Sequence, residues 1–375
     1  NREQFDEIFD KLVQNRTAQA HKLGFRTFTD LGYIRRQRNC YGKNEVKVFR
    51  DQVKADIVPL VSKIKENQRE RIGVDKLRFY DDGYCFKEGN ANPHGTPDEL
   101  LAAGKKMYTE MSPETAEFID FMFEHDLFDV LAKDGKAPGG YCTTMPVYKS
   151  PFIFSNFNGT AGDVDVLTHE AGHAFAAYQA YKNTKWLKNA DGSMDCCETH
   201  SMSMEFLTMP WHELFFKEDT ARYELSHMED SINFLPYGCM VDNFQEICYE
   251  NPSMTKQERN DAWLKLEHEY RPYIDFDNLP FYSRGGGYQR QLHIFLYPFY
   301  YVDYCMSGSI ALQFFTLSQK NRADAWKKYL AFVNTAGLKT FVDAVKSAGL
   351  ISPLEPGSLR EISKGLTQWL DENKA

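Results

Sequence analysis

Between Asp163 and Tyr181 the chain reads DVDVLTHEAGHAFAAYQAY, and this stretch limits what the rest can fold into. Val166, Leu167, Ala171, Gly172, Ala174, Phe175, Ala176 and Ala177 leave almost no solvent face. Their spacing predicts a helix, capped by Asp163, that other elements enclose on most sides. Yet the same helix carries His169, Glu170 and His173. Buried polar side chains are costly unless partnered, so the fold has to bring something to them.

The remainder of the chain reads as mainly helical. Apolar residues recur at three and four over Asn1 to Ala20, Glu45 to Asn67 and Pro97 to Met111. The last of these opens with Thr96 as cap and Pro97 at the first helical position, and Ser112-Pro113 opens another helix in the same way. That helix carries Phe118, Phe121, Met122 and Leu127 before the breaker cluster KDGKAPGG ends it. A boundary is placed there, dividing the chain into 1–135, a helical lobe, and 136–375, a catalytic region. Gly140 to Val147 and Pro151 to Phe157 are short, aromatic and β-branched, and read as two strands just ahead of the enclosed helix. Further helices are expected from Thr199 to Phe216, Ala221 to Tyr249, Thr255 to His268, Ala323 to Ala348 and Leu359 to Glu372. Three successive glycines, Gly285 to Gly287, read as a flexible loop.

Composition excludes several classes. A net charge of −9 argues against a nucleic-acid binder, which needs clustered Lys and Arg. No apolar run is long enough to cross a bilayer, so no membrane partner is expected. The eight cysteines show no CxxC spacing and no disulfide framework, which suits a reducing compartment, the cytoplasm.

The chemistry starts from helix geometry. His169 and His173 stand four residues apart, on one face one turn apart, so both imidazoles can reach one cation. Neutral imidazole suits Zn²⁺, and a catalytic zinc takes a third protein ligand and keeps one open position. Glu170 projects about a quarter turn away and reads as a general base acting on water. The third ligand is sought in CCETHSMSME, where Glu198 leads a helix that can run back beside the first. Glu205, two turns on, keeps the same face and reads as an acceptor that orients a ligating imidazole. Asp165 is a weaker candidate for that orienting role, and His200 a weaker ligand because it faces elsewhere. The competing reading is a chance HExxH on an ordinary helix, where His and Glu are simply solvated; the apolar surroundings weigh against it.

With HEAGH on a helix and Glu198 opening ETHSMSME, the chain resembles the thimet oligopeptidase and oligoendopeptidase F family of zinc peptidases, the oligoendopeptidase F branch above all. The likeness extends to QRQLHIF and PFYYVDY, which resemble that family's downstream segment of a histidine followed by tyrosines. The resemblance implies a two-lobed helical gluzincin-type fold with a small β-sheet beside the zinc helix and a deep channel for short unstructured peptides. It implies one Zn²⁺ per chain, held by His169, His173 and Glu198, and oligopeptide substrates cut at internal bonds. It carries the oxyanion-binding role onto His293 and Tyr304, with Tyr300 and Tyr301 holding substrate. The spacing from histidine to tyrosine differs between branches, so the choice among the three tyrosines stays open, and core packing is the rival reading for this aromatic stripe. Strand addition by the substrate falls to Gly139, Gly140 and Tyr141, whose glycines also read as plain turn residues. The triple-glycine loop resembles a segment that closes on substrate. The resemblance also implies more chain ahead of the zinc helix than the 168 residues that precede His169. Two alternatives remain: a metallo-carboxypeptidase of a related helical gluzincin family, and a peptide-binding protein without catalysis.

Overall fold

Thr96-Pro97 and Ser112-Pro113 start successive helices for one physical reason. A proline at the first helical position already has the required φ and lacks a hydrogen that would go unpaired. The Glu99 carboxylate accepts from the N–H of Thr96 at 2.7 Å, the Thr96 hydroxyl accepts from Glu99 N–H, and Ser112 Oγ accepts from Thr115 N–H at 3.1 Å. These local bonds set both starts where the sequence predicts them.

The computed structural model describes residues 1–186, 190 and 192–373. Its helices are α1 (Arg2–Lys22), α2 (Phe28–Arg35), α3 (Lys43–Gln52), α4 (Val58–Ile72), α5 (Pro97–Met111), α6 (Pro113–Glu124), α7 (Gly162–Asn183) and α8 (Met194–Leu207). There follow α9 (Glu213–Phe216), α10 (Thr220–Glu250), α11 (Lys256–Tyr270), α12 (Leu292–Leu296), α13 (Tyr301–Lys320), α14 (Arg322–Val333), α15 (Phe341–Ser347) and α16 (Ser358–Glu372). Strands β1 (Phe128–Leu131), β2 (Tyr141–Met145) and β3 (Ser150–Phe157) form the small sheet. The protein is thus mainly α, with a small sheet packed beside α7.

Several boundaries differ from the sequence reading. The helix expected over Glu45 to Asn67 is α3 and α4, joined by a π turn at Val53–Ile57. α6 stops at Glu124, and Phe128–Leu131, read as the end of that helix running up to the breakers, is instead a strand pairing parallel with β3. Helices Thr199 to Phe216 and Ala323 to Ala348 are each broken, the first into α8 and α9, the second into α14 and α15. Asp163 does not cap α7. It sits inside the first turn, where its carboxylate accepts from the backbone N–H groups of Asn158 and Gly159 and holds the preceding turn.

The sheet order is β1-β3-β2, so β2 is an edge strand, paired antiparallel to β3 with Tyr141 opposite Phe154 and Met145 opposite Ser150. Ile153, Ser155 and Phe157 of β3 alternate inward and are buried.

The chain gathers into two compact units, each built from separated segments. One comprises Asn1–Glu88, Glu229–Met306 and Pro353–Thr367; its core groups Phe9, Phe244, Trp263, Tyr288 and Phe295. The other comprises Gly89–Met228, Ser307–Ser352 and Gln368–Ala375; there α7 lies between the sheet, α8 and α6, with Phe118 edge-on to Phe175 at 5.6 Å. The expected division after residue 135 falls inside this second unit, because α5, α6 and β1 gather with α7. Among the described residues no helix is long and apolar enough to cross a membrane.

In the first unit Gly285 to Gly287 are a close-packed segment rather than a loose linker. Gly285 adopts φ +81°, and a Cβ there would overlap the Asn260 carbonyl. A Cβ on Gly287 would stand 2.6 Å from the Trp263 indole nitrogen. Glycine is needed here for close approach to α11.

Candidate metal centre

α7 and α8 are brought together by small residues. Gly172 faces the backbone of Ser201 and His200, so the two helices approach closely along the turn that bears the histidines. That proximity puts Glu198 beside them: its Oε2 lies 3.3 Å from His169 Nε2 and 3.5 Å from His173 Nε2. The three donor atoms all lie within 4.8 Å of one another. Ligands on a tetrahedral ion with bonds of about 2 Å stand roughly 3.3 Å apart, so the set fits one divalent cation. Both rings are about one-fifth exposed, at 22% and 20%, while the Glu198 side chain is buried at 3%. Burial opposes the charge on Glu198, but the two imidazoles outweigh it and hold its carboxyl well below the usual range. A carboxylate and two imidazoles are what a borderline-soft cation such as Zn²⁺ takes.

Glu205 closes the next layer. Its Oε1 lies 2.7 Å from His169 Nδ1 and its Oε2 lies 2.8 Å from His227 Nε2. With Nδ1 donating to Glu205, His169 keeps the lone pair of Nε2 for a cation. Burial again opposes ionisation, yet the two histidines bring the Glu205 carboxyl down to about 2. His227 comes from α10 and was not singled out in the sequence. It lies 22 residues beyond Glu205, inside a run read only as helix, and no local motif marks it. Asp165 takes a different partner, accepting the Tyr223 hydroxyl at 2.6 Å. His200 points away from the centre, edge-on to Phe332 at 5.3 Å; burial lowers it to about 3, so it stays neutral.

Glu170 is buried beside this cluster and outside it. Burial raises its carboxyl above the usual range against the pull of His169 and His173, and it accepts a hydrogen bond from the backbone of Cys142 on β2. The base candidate is thus tied to the edge strand. Tyr141 heads that strand, 51% exposed and stacked on Phe154 at 4.8 Å. Ahead of it Gly139 adopts φ +98°, and its carbonyl accepts from Asn156 Nδ2 at 2.9 Å. Gly140 leaves no room for a Cβ, which would stand 2.7 Å from Val166 of α7.

His293, Tyr300, Tyr301 and Tyr304 cluster within the first unit. His293 and Tyr301 rings stack obliquely at 4.6 Å, and the hydroxyls of Tyr300 and Tyr304 bond each other at 2.8 Å. The turn between them is held by the buried Arg38, which pairs with Asp303 at 2.7 Å and donates to the Phe299 carbonyl, where Phe299 takes φ +64°. Tyr301 and Tyr304 stand on α13, a helix missing from the sequence reading, which took this stretch as an aromatic stripe.

The profile of peptidase family M3 matches residues 1–363. The chain belongs to peptidase family M3. An oligoendopeptidase F homolog of Borreliella burgdorferi (strain B31) is 26% identical over 212 residues, which are 53% of this chain and 34% of that one. A solved structure of PZ peptidase A with an inhibitor superposes with a TM-score of 0.94 at 48% identity, covering 100% of this chain and 66% of the other. A Bacillus anthracis (strain Ames) structure provisionally called oligoendopeptidase F gives a TM-score of 0.88 at 43% identity, with coverage of 100% and 65%. This M3 chain therefore spans about a third of the curated relative's length and less than two thirds of the chains in these two structures. The mainly helical peptidase fold with a small sheet, implied by the family resemblance, agrees with these solved structures.

Proposed function

We propose that this chain is the catalytic part of a zinc-dependent endopeptidase that hydrolyses internal bonds of short, unstructured oligopeptides. The observation that carries the reading is the convergence of His169, His173 and Glu198 on one small volume, with Glu170 buried next to it. His169, His173 and Glu198 would hold the ion; when bound, Zn²⁺ supplies Lewis acidity that polarises a peptide carbonyl and makes water more acidic. Glu170 takes the proton from the attacking water and returns it to the leaving amine. Burial raises this carboxyl above its usual range, which strengthens it as an acceptor for the water's proton. Glu205 keeps the His169 ring oriented. β2 lies at the edge of the sheet, where an extended peptide can add as a further strand, with Gly139, Gly140 and Tyr141 at its entrance. From the family resemblance, His293 and Tyr304 donate hydrogen bonds to the oxyanion, and Tyr300 and Tyr301 hold the substrate.

The relatives' names support cleavage of internal bonds in oligopeptides. In the whole protein, Glu170→Gln is expected to keep its metal and to lose turnover of a peptide blocked at both ends by about 10²–10⁴-fold. Zinc content is read by elemental analysis and products by mass. Normal cleavage by that variant removes Glu170 as the base, and absence of internal cleavage by the unaltered protein removes the endopeptidase.

A further inference from the structure

Around Gln291 the hydrogen-bonding groups of the first unit form one connected set. Gln291 Nε2 donates to the Tyr301 hydroxyl at 2.7 Å and lies 2.8 Å from His293 Nδ1, while Tyr237 donates its hydroxyl to Gln291 Oε1 at 2.8 Å. A primary amide has two N–H donors and one carbonyl oxygen. All three groups are engaged. The reversed amide would leave two donors, its own second N–H and the Tyr237 hydroxyl hydrogen, with no acceptor among the described residues, against one, the Tyr301 hydroxyl hydrogen, in the orientation observed, so hydrogen-bond satisfaction favours the latter.

The consequence falls on His293. A neutral imidazole carries one N–H, and a ring whose Nδ1 accepts from Gln291 carries it on Nε2. Tyr301, whose oxygen accepts from the same amide, has no acceptor for its own hydrogen among the described residues. We propose that Gln291 is a positioning residue: its amide selects the Nε2–H form of His293 and frees the Tyr301 hydroxyl hydrogen, so that both groups present donors to a substrate carbonyl oxygen. This rests on the reading of His293 as an oxyanion donor. Burial and the neighbouring Arg36 hold the imidazole below its usual range, which favours the neutral ring. Glutamate at this position would do the opposite. An acceptor-only carboxylate draws the hydrogen to Nδ1 and turns the bare Nε2 lone pair toward developing negative charge.

The test uses the whole, zinc-loaded protein labelled with ¹⁵N-histidine, with ring-nitrogen shifts read at a pH where His293 is neutral. His293 is expected in the Nε2–H form in the unaltered protein and in the Nδ1–H form in Gln291→Glu. Against a blocked peptide, Gln291→Glu is expected to lower kcat by about 10²-fold with KM within about threefold, the signature of a lost transition-state donor. Gln291→Met, which keeps the volume and removes the amide, is expected to show both tautomers and an intermediate kcat. Nδ1–H in the unaltered protein overturns the proposal, as does Nε2–H retained in Gln291→Glu. His293→Phe separates this from the underlying reading. Full activity in that variant removes the oxyanion role of His293 whatever the tautomer, whereas a slow His293→Phe beside a fast Gln291→Glu removes only the role of Gln291.

Discussion

Gly172 immediately precedes the second histidine, and there α7 lies close against the backbone of α8. A Cβ there would stand 2.6 Å from Ser201 Cα, 2.8 Å from His200 O and 3.0 Å from Met204 Cβ. The first two are backbone atoms, so no rotamer change relieves them. Carbon contacts are comfortable at roughly 3.5–4.0 Å, and α8 therefore has to withdraw by about 1 Å in Gly172→Ala. Overpacking of this kind costs ~1–3 kcal/mol, against which alanine's better helix propensity returns about 1 kcal/mol. The larger effect is on the metal. Glu198 rides on α8, and Ser201 Oγ, on the residue that is struck, lies 3.2 Å from its Oε2. Metal–ligand distances tolerate only about ±0.2 Å, so a withdrawal several times larger pulls Glu198 out of bonding range of an ion seated on His169 and His173. Zn²⁺ affinity, measured by competition with a chelator, is expected to fall about 10–100-fold, equivalent to ~1.4–2.7 kcal/mol. The melting temperature of the metal-free protein should change by only a few degrees. An affinity within about twofold of the unaltered protein would refute the claim that close helix approach sets the ligand distances.

Two further outcomes follow from the surroundings of the centre. Glu205→Ala removes the acceptor that His169 and His227 share, and zinc affinity is expected to drop about 10–100-fold although no ligand changes; undiminished affinity in the same titration would remove Glu205 as the orienting group. His200 is lowered by burial from about 6.5 to about 3, so between those values the unfolded chain binds a proton that the folded one refuses. Its contribution is therefore fully present above about pH 6.5 and is lost as pH falls toward 3, at up to about 1.4 kcal/mol per pH unit. Denaturant titrations of His200→Leu across that window should show a shallower decline than the unaltered protein, and identical slopes would contradict the burial argument.

Much of the local structure was legible because it is written within four residues. Thr96 with Glu99 and Ser112 with Thr115 are bonds between neighbours, and the starts of α5 and α6 follow from them. His169 and His173 share a face by helix geometry alone, and so do Glu198 and Glu205. What the sequence leaves unmarked is nonlocal or atypical. β1 is four residues long and pairs in parallel with a strand more than twenty residues away, so no turn announces it. Gly285 to Gly287 looked like flexibility because glycine permits any conformation; packing against α11 shows that room for backbone was what the position required.

The amino-acid sequence by itself thus determined a mainly helical chain carrying two imidazoles and carboxylates at helical spacing, since periodicity and capping are interactions along the chain. Only the tertiary structure decided which side chains complete the arrangement. It brought His227 to Glu205 from another helix, turned His200 toward Phe332, tied Glu170 to the backbone of β2, and set Gln291 between Tyr237, Tyr301 and His293. Those pairings follow from burial, which leaves each enclosed polar group to find its partner in space rather than in sequence.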